Sequence, residues 1–372
     1  MGKEGRGKKA RLRTTAMLAG GAVLALGAAG ARAADVTLPP VTLGAGLITS
    51  FDNQNPQAGG TVSNTDRFKL ESIRIYINGG VTDNIKFTFN TEYSSTDNSV
   101  KVLDGIGRFE YSDAVNVWAG RFLPPSDRAN LAGAYYADDW NPFAGGVADF
   151  YPGVYTGRDN GVAYWGQFGI LKVQAGVFDG PSAQGAAVAN TPPPGVGNNK
   201  VISALRVMAD FWDPENGYYL NGTYYGEKDI LSLGVAVQNE GSDLSEGGTK
   251  GGTAYDIDGL LEKKLGTSGS VSLEAEYQHD SGLVFASNGW STKASYLFPQ
   301  VVGVGKFEVL GKYVDKTTDG TGGNPNFTSK TKEINLNYII KGFNARTGIF
   351  FLDSDVVGGT ARTIGAKLQL QL

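Results

Sequence analysis

The chain has 372 residues, with no Cys, one His (His279), 54 Gly, 17 Tyr, 18 Phe and 5 Trp. Lacking cysteine, it has no disulfide scaffold, thiolate metal site or Cys nucleophile, and a lone imidazole excludes a multi-histidine metal centre. At 41% apolar and 19% charged, with a formal net charge of −4, it is globular rather than disordered, and glycine at about twice its usual share points to β structure rich in turns.

Residues 1–33 read as a secretory signal. Lys3, Arg6, Lys8, Lys9, Arg11 and Arg13 form a basic n-region, Thr14 to Ala31 is uncharged, and Ala31-Arg32-Ala33 supplies small residues at a cleavage site. Without these seven basic residues and Glu4, 26 Lys+Arg face 36 Asp+Glu, so 34–372 carries about −10. Nucleic acid is excluded as a partner on that balance.

No stretch of 34–372 reaches the ~18 consecutive apolar residues of a membrane helix. What recurs is period-two alternation, as in Ile73-Ile75-Ile77, Ile85-Phe87-Phe89, Leu231-Leu233-Val235-Val237 and Val271-Leu273-Ala275-Tyr277, with Lys86, Thr88, Asn90 and Glu92 or Ser272, Glu274, Glu276 and Gln278 between. Each such segment is a strand with one apolar and one wet face. The predicted strands run 41–51, 67–78, 84–94, 99–111, 114–122, 161–168, 170–178 and 200–211. They continue 229–239, 253–264, 270–280, 288–298, 305–315, 329–340, 345–352 and 361–372. Many are about ten residues long, the length of a tilted membrane strand rather than a soluble one, and aromatics such as Tyr93, Tyr277, Tyr296 and Tyr338 sit near their ends. The fold class is therefore all-β, a transmembrane antiparallel β-barrel of about sixteen strands in the outer membrane of a Gram-negative bacterium.

An even strand number leaves the long connections 52–66, 123–160, 179–199, 240–252 and 316–328 on the extracellular side and short turns on the periplasmic side. The exception is 212–228, read as an irregular periplasmic segment in which Tyr218 to Tyr225 could form a strand. A barrel of this size encloses an aqueous channel. Connection 123–160 carries Asp127, Arg128, Asp138, Asp139, Trp140, Asp149, Arg158 and Asp159, and a loop so long is expected to be functional. It reads as folding inwards to narrow the pore, the alternative being an extracellular cap or partner-binding loop.

Three stretches carry a family resemblance: Phe68-Lys69-Leu70-Glu71-Ser72-Ile73-Arg74, Val102-Leu103-Asp104 to Arg108-Phe109-Glu110-Tyr111, and Val117-Trp118-Ala119-Gly120-Arg121-Phe122-Leu123-Pro124-Pro125. With Arg158-Asp159-Asn160-Gly161-Val162 and Ala175 to Gly180 they are similar in order and spacing to the N-terminal half of the phosphate-selective porin O and P family. The resemblance implies a sixteen-stranded, usually trimeric channel whose anion preference comes from lumenal Arg and Lys. Arg74, Arg108 and Arg121 are the matching positions, with Lys69 and Lys86 beside them.

The expected function is passive diffusion of ions and small hydrophilic solutes, with lipid, solutes and two further copies of the chain as partners and no cofactor. The loop aspartates argue for weak cation preference or near-neutrality, because only charges within a screening length of about 8 Å of the constriction act on a permeating ion. The resemblance argues instead for anions or phosphate, and a structural barrel sheathing a partner protein is a third reading. No catalysis is expected: His279 is the single imidazole and no G-x-S-x-G element is present. Asp256-x-Asp258-Gly259 and Asp315 to Asp319 lack the twelve-residue spacing of a calcium loop.

Overall fold

The computed structural model describes residues 40–58, 61–62, 64–94, 98–147, 157–179, 201–240, 252–281, 287–319 and 325–372. Sixteen long strands occur in chain order: β1 (Val41–Ala58), β2 (Thr65–Gly80), β3 (Ile85–Ser94), β4 (Ser99–Ser112), β5 (Val115–Phe122), β6 (Asp159–Phe168), β7 (Leu171–Phe178) and β8 (Ile202–Asp210). They continue as β9 (Ile230–Glu240), β10 (Gly252–Lys264), β11 (Ser270–Ser281), β12 (Ser287–Val302), β13 (Gly305–Thr318), β14 (Phe327–Lys341), β15 (Ala345–Val356) and β16 (Gly359–Gln371). A two-residue ladder, Thr61–Val62, extends the first hairpin.

Every strand pairs antiparallel with its neighbours in sequence, and β1 closes the sheet on β16 from Gly46↔Gln371 to Ala58↔Gly359. Closure removes both sheet edges, so every ladder group is satisfied within the wall, which is the condition for a sheet to cross a bilayer. The expected strands agree with these to within about four residues, except that β1 runs seven residues past its expected end at 51, into the expected connection 52–66, because it stays paired with β16 as far as Ala58. Short turns at 81–84, 113–114, 169–170, 265–269, 303–304 and 342–344 mark the periplasmic rim.

Period-two alternation sets the two faces. On β11, Ser270, Ser272, Glu274, Glu276, Gln278 and Asp280 are buried inside the barrel, while Leu273 and Tyr277 stand exposed outside. The outer surface repeats this around the wall: Ile73, Ile75, Leu233, Val235, Ile334, Leu336, Ile349, Phe351 and Ile364 form an apolar band. Aromatic pairs from adjacent strands flank it, including Phe51–Phe68 (4.7 Å), Trp290–Tyr313 (5.2 Å) and Phe307–Tyr338 (5.1 Å), as bilayer interfaces favour. His279 sits on this outer face against Tyr255, ring centres 5.1 Å apart.

The expected contrast of apolar outside and wet inside fails over β5–β8. Trp118, Phe122, Ala163, Phe178, Ile202, Ala204 and Met208 all turn into the lumen and join Ile106, Leu123, Leu131, Tyr218 and Leu220 in one buried cluster. These strands carry apolar side chains on both faces because part of their inner face packs against protein rather than water, while Asn116, Asp159, Lys172, Gln174, Arg206 and Asp210 remain polar inward positions.

Candidate functional site

Two chain segments enter the barrel, one from each end. From the extracellular end of β5, residues 123–147 fold inwards. Asp127 caps helix α1 (Arg128–Tyr136) by accepting a hydrogen bond from the Asn130 amide at 2.6 Å, and Gly133, at φ 66°, breaks the helix within its second turn. The helix crosses the lumen: Arg128 lies against β8–β10, whereas Tyr135 reaches β1 and β2, where its hydroxyl is 3.0 Å from Ser72 Oγ. Lumen-facing Gly46 makes room for it, since a methyl group there would sit 2.6 Å from the Tyr135 ring.

After the helix the loop runs back along β15, β14, β13 and β12. Lacking secondary structure, its carbonyls need partners from the wall. Arg346 donates to Asp138 O (3.0 Å), Lys367 to Trp140 O (2.9 Å), and Lys312 to Asn141 O (2.6 Å) and Pro142 O (3.1 Å). Gly348 admits the Trp140 indole, whose Nε1 would lie 2.6 Å from a methyl group at that position.

From the periplasmic end, residues 211–229 rise to meet the loop. No strand forms between Tyr218 and Tyr225; the segment is irregular, but it enters the lumen instead of hanging from the rim. Tyr218 stacks on Trp118 (4.6 Å, 27°) and donates to Leu123 O at 2.8 Å. Arg128 clamps the junction, reaching Glu215 Oε1 (2.8 Å) and Oε2 (2.5 Å), Asn221 O (3.0 Å) and Ser232 Oγ (2.6 Å), with both ion-pair side chains fully buried. The Gly222 amide donates to Tyr136 O at 2.8 Å. Burial pushes the Glu215 carboxyl up, but the Arg128 guanidinium beside it more than reverses this and holds it at about 2.

The loop acids point into the wall. Asp138 pairs with Lys293 (2.5 Å); Asp139 is bridged by Lys293 (3.3 Å) and Lys312 (2.8 Å), and both aspartates are 1% exposed. Burial alone would raise the Asp139 carboxyl, yet the two ammonium groups hold it well below the usual carboxylate range. These aspartates therefore anchor the loop rather than face the water, contrary to the sequence expectation. Asp127 and Arg128 are equally buried, and Asp149 lies outside the described residues.

The more exposed lumenal charges lie on the opposite wall, β1–β6, although Asp52 and Asp104 there are buried. Arg74 bonds Glu92 at 2.9 Å and lies over the Tyr135 ring at 4.5 Å. Lys86 pairs with Glu110 at 3.0 Å, Arg108 approaches the same carboxylate at 3.8 Å, Arg158 bonds Asp104 at 2.9 Å, and Asp52 holds both Arg67 and Lys69. Asp159 is lumenal but buried. Arg121 does not belong to this set. It alternates with Trp118, Gly120 and Phe122, which face inwards, and is paired with Gly105 and Asn160 on the outer face near the extracellular rim. Of the expected basic ladder, Lys86 and Arg108 are brought together, directly opposite one another on β3 and β4, whereas Arg74 stands opposite Glu92 farther along β3; the acids that pair with these cations and with Arg158, namely Glu92, Glu110 and Asp104, were missed. Their signal was available, because all three occupy lumen-facing positions of the same two strands.

A closed sixteen-stranded antiparallel barrel with an apolar outer band and an inward-folded loop after its fifth strand is an outer-membrane barrel of the porin fold. No family model matches the sequence and no curated protein matches it, so the particular likeness to the phosphate-selective porin O and P family is not carried further. Solved structures do match. OprB of Pseudomonas putida superposes with a TM-score of 0.64 at 12% identity, over 89% of this chain and 94% of that one. An anion-selective porin from Comamonas acidovorans gives 0.56 at 14%, over 90% and 99%, and a trimer form of OmpT from Vibrio cholerae gives 0.55 at 13%, over 90% and 100%.

Proposed function

We propose that this protein is an outer-membrane diffusion channel for ions and small hydrophilic solutes, whose water path follows the β1–β6 wall. The observation that carries the reading is an asymmetry of exposure inside the barrel. Ion-paired side chains between the loop and β8–β14 are at most 8% exposed, whereas on β1–β6 the lumenal Lys86 and Arg67 keep 38% and 37%. Loop and periplasmic segment fill one side of the lumen and leave the charged side wet.

Paired charge supports weak selectivity over phosphate capture. Each of Arg67, Lys69, Arg74, Lys86, Arg108 and Arg158 faces a carboxylate, although Asp52 and Glu110 are each shared by two of them, so the wall keeps a small positive excess rather than a row of bare cations. The sheath reading is disfavoured because the chain's own segments occupy the space a partner would need. Purified protein in planar bilayers is expected to form channels of constant size, with a reversal potential near zero in a KCl gradient. Strong anion selectivity, or block by micromolar phosphate, would overturn this reading, and electrical silence would overturn the channel itself. We further propose a homotrimer, supported by the likeness to the OmpT trimer form and tested by mass in mild detergent, and removal of residues 1–33, tested by N-terminal sequencing.

A further inference from the structure

We infer that the periplasmic mouth holds a second, separate site, one for a small organic anion with an apolar body. A cavity of about 800 Å³ opens there, between the periplasmic segment and the turns 264–270, 297–306 and 339–344, within the size range of small-molecule sites. Tyr225 and Phe343 line it, their rings 5.0 Å apart, with Phe343 also packed on Tyr136 of the loop at 5.5 Å.

The lining combines two chemistries. Leu297, Phe298, Val304 and Ile339 give it an apolar wall, and Val304 is 72% exposed although it sits in a turn, where polar residues are the rule. Lys264, Lys306 and Lys341 reach the same space from three different strand ends, and none makes an ion pair among the described residues. In a chain with more acidic than basic residues, three lysines converging with no salt bridge to a carboxylate stand out.

A fourth cation backs the cavity. Arg346 is fully buried, and its hydrogen-bond partners are uncharged: Gln369 Oε1 (2.9 Å), Asp138 O (3.0 Å) and the Tyr225 hydroxyl (3.4 Å). Its guanidinium lies 5.4 Å from the Phe343 ring. Against these stand Glu227, exposed at the rim, Asp229, which accepts from the Lys264 amide at 2.9 Å but is paired with Lys263, Glu308 near Arg346, and Glu262, whose oxygens already accept from Thr223, Tyr224 and Gly226; among the lining residues themselves, three lysines face one carboxylate. Net positive potential over an apolar wall selects a carboxylate or sulfonate carried on a hydrocarbon body.

The test is a binding measurement that does not depend on ion conduction, so it can fail while the channel reading stands. Fluorine NMR of 6,6,6-trifluorohexanoate, titrated with the detergent-solubilised protein, should show saturable line broadening that weakens as salt rises from 50 to about 500 mM. The triple variant Lys264→Gln, Lys306→Gln, Lys341→Gln should bind at least tenfold more weakly while keeping heat-modifiable mobility, and the neutral 6,6,6-trifluorohexanol should not saturate. Equal binding by the variant, or saturation by the alcohol to the same extent, would overturn the site. The single change Val304→Glu, at an exposed turn, should weaken the acid without touching the barrel; an unchanged titration there would count against the assigned location.

Discussion

Changing Arg128 to Ala tests the central claim that the loop and the periplasmic segment hold one another in place. Arg128 and Glu215 are both fully buried, and the guanidinium also satisfies Asn221 O and Ser232 Oγ. Removing one partner of a buried pair leaves the other charge desolvated and unpaired, at a cost of about 3–5 kcal/mol. At 1.4 kcal/mol per decade, the released state should gain roughly two to three and a half orders of magnitude in population. Hydrogen exchange should then show lost protection in 128–137 and 215–224 while the strands stay protected, and single-channel records should become larger and noisier. The double variant Arg128→Met, Glu215→Leu removes both charges but also takes the Glu215 carboxylate from buried Lys172, so it should recover part of the protection, since apolar replacement of a buried pair is often neutral. Unchanged exchange and conductance in Arg128→Ala would refute the latch.

Glu92→Gln removes the carboxylate facing Arg74 and should shift the reversal potential towards anions; no shift would mean that this wall does not border the water path. Asp138→Asn with Asp139→Asn should lower thermal stability by about 1–3 kcal/mol, because Lys293 is left with Glu274 (3.3 Å) and Lys312 with the more distant Glu333 (3.9 Å), with little change in ion selectivity, and a selectivity change without destabilisation would reverse the assignment. Gly46→Val should displace Tyr135 and raise conductance, because a side chain at that position has no space; wild-type currents would show that the loop is not seated there. For pH the sign follows from Glu215. Its folded value of about 2 lies below the ordinary 4.5, so the latch contributes fully above pH 4.5 and fades as pH falls through about 2. Conductance should therefore be constant from pH 8 to 5 and rise only below 4.5, and an increase between 8 and 5 would contradict this.

The sequence by itself determined the wall. Strand number, rim sides and the lipid face follow from period-two alternation, a local property that needs no knowledge of what lies across the barrel, and the length of 123–160 already marked it as the loop that matters. Arg121 was not legible by that rule, which reads Trp118 and Phe122 as lipid-facing and Arg121 as lumenal; on β5 the inner face packs against protein, so the order is reversed, and the likeness to a known family pointed the same way as the rule. Tertiary structure alone decided how the lumen is filled. Arg128 meets Glu215 across 87 positions and Lys293 meets Asp139 across 154, and neither strand periodicity nor composition encodes such distances. A loop aspartate reads the same in sequence whether it faces water or a lysine. Which it faces is fixed by where the folded chain crosses the barrel, and that crossing set Asp138 and Asp139 against Lys293 and Lys312 of the wall.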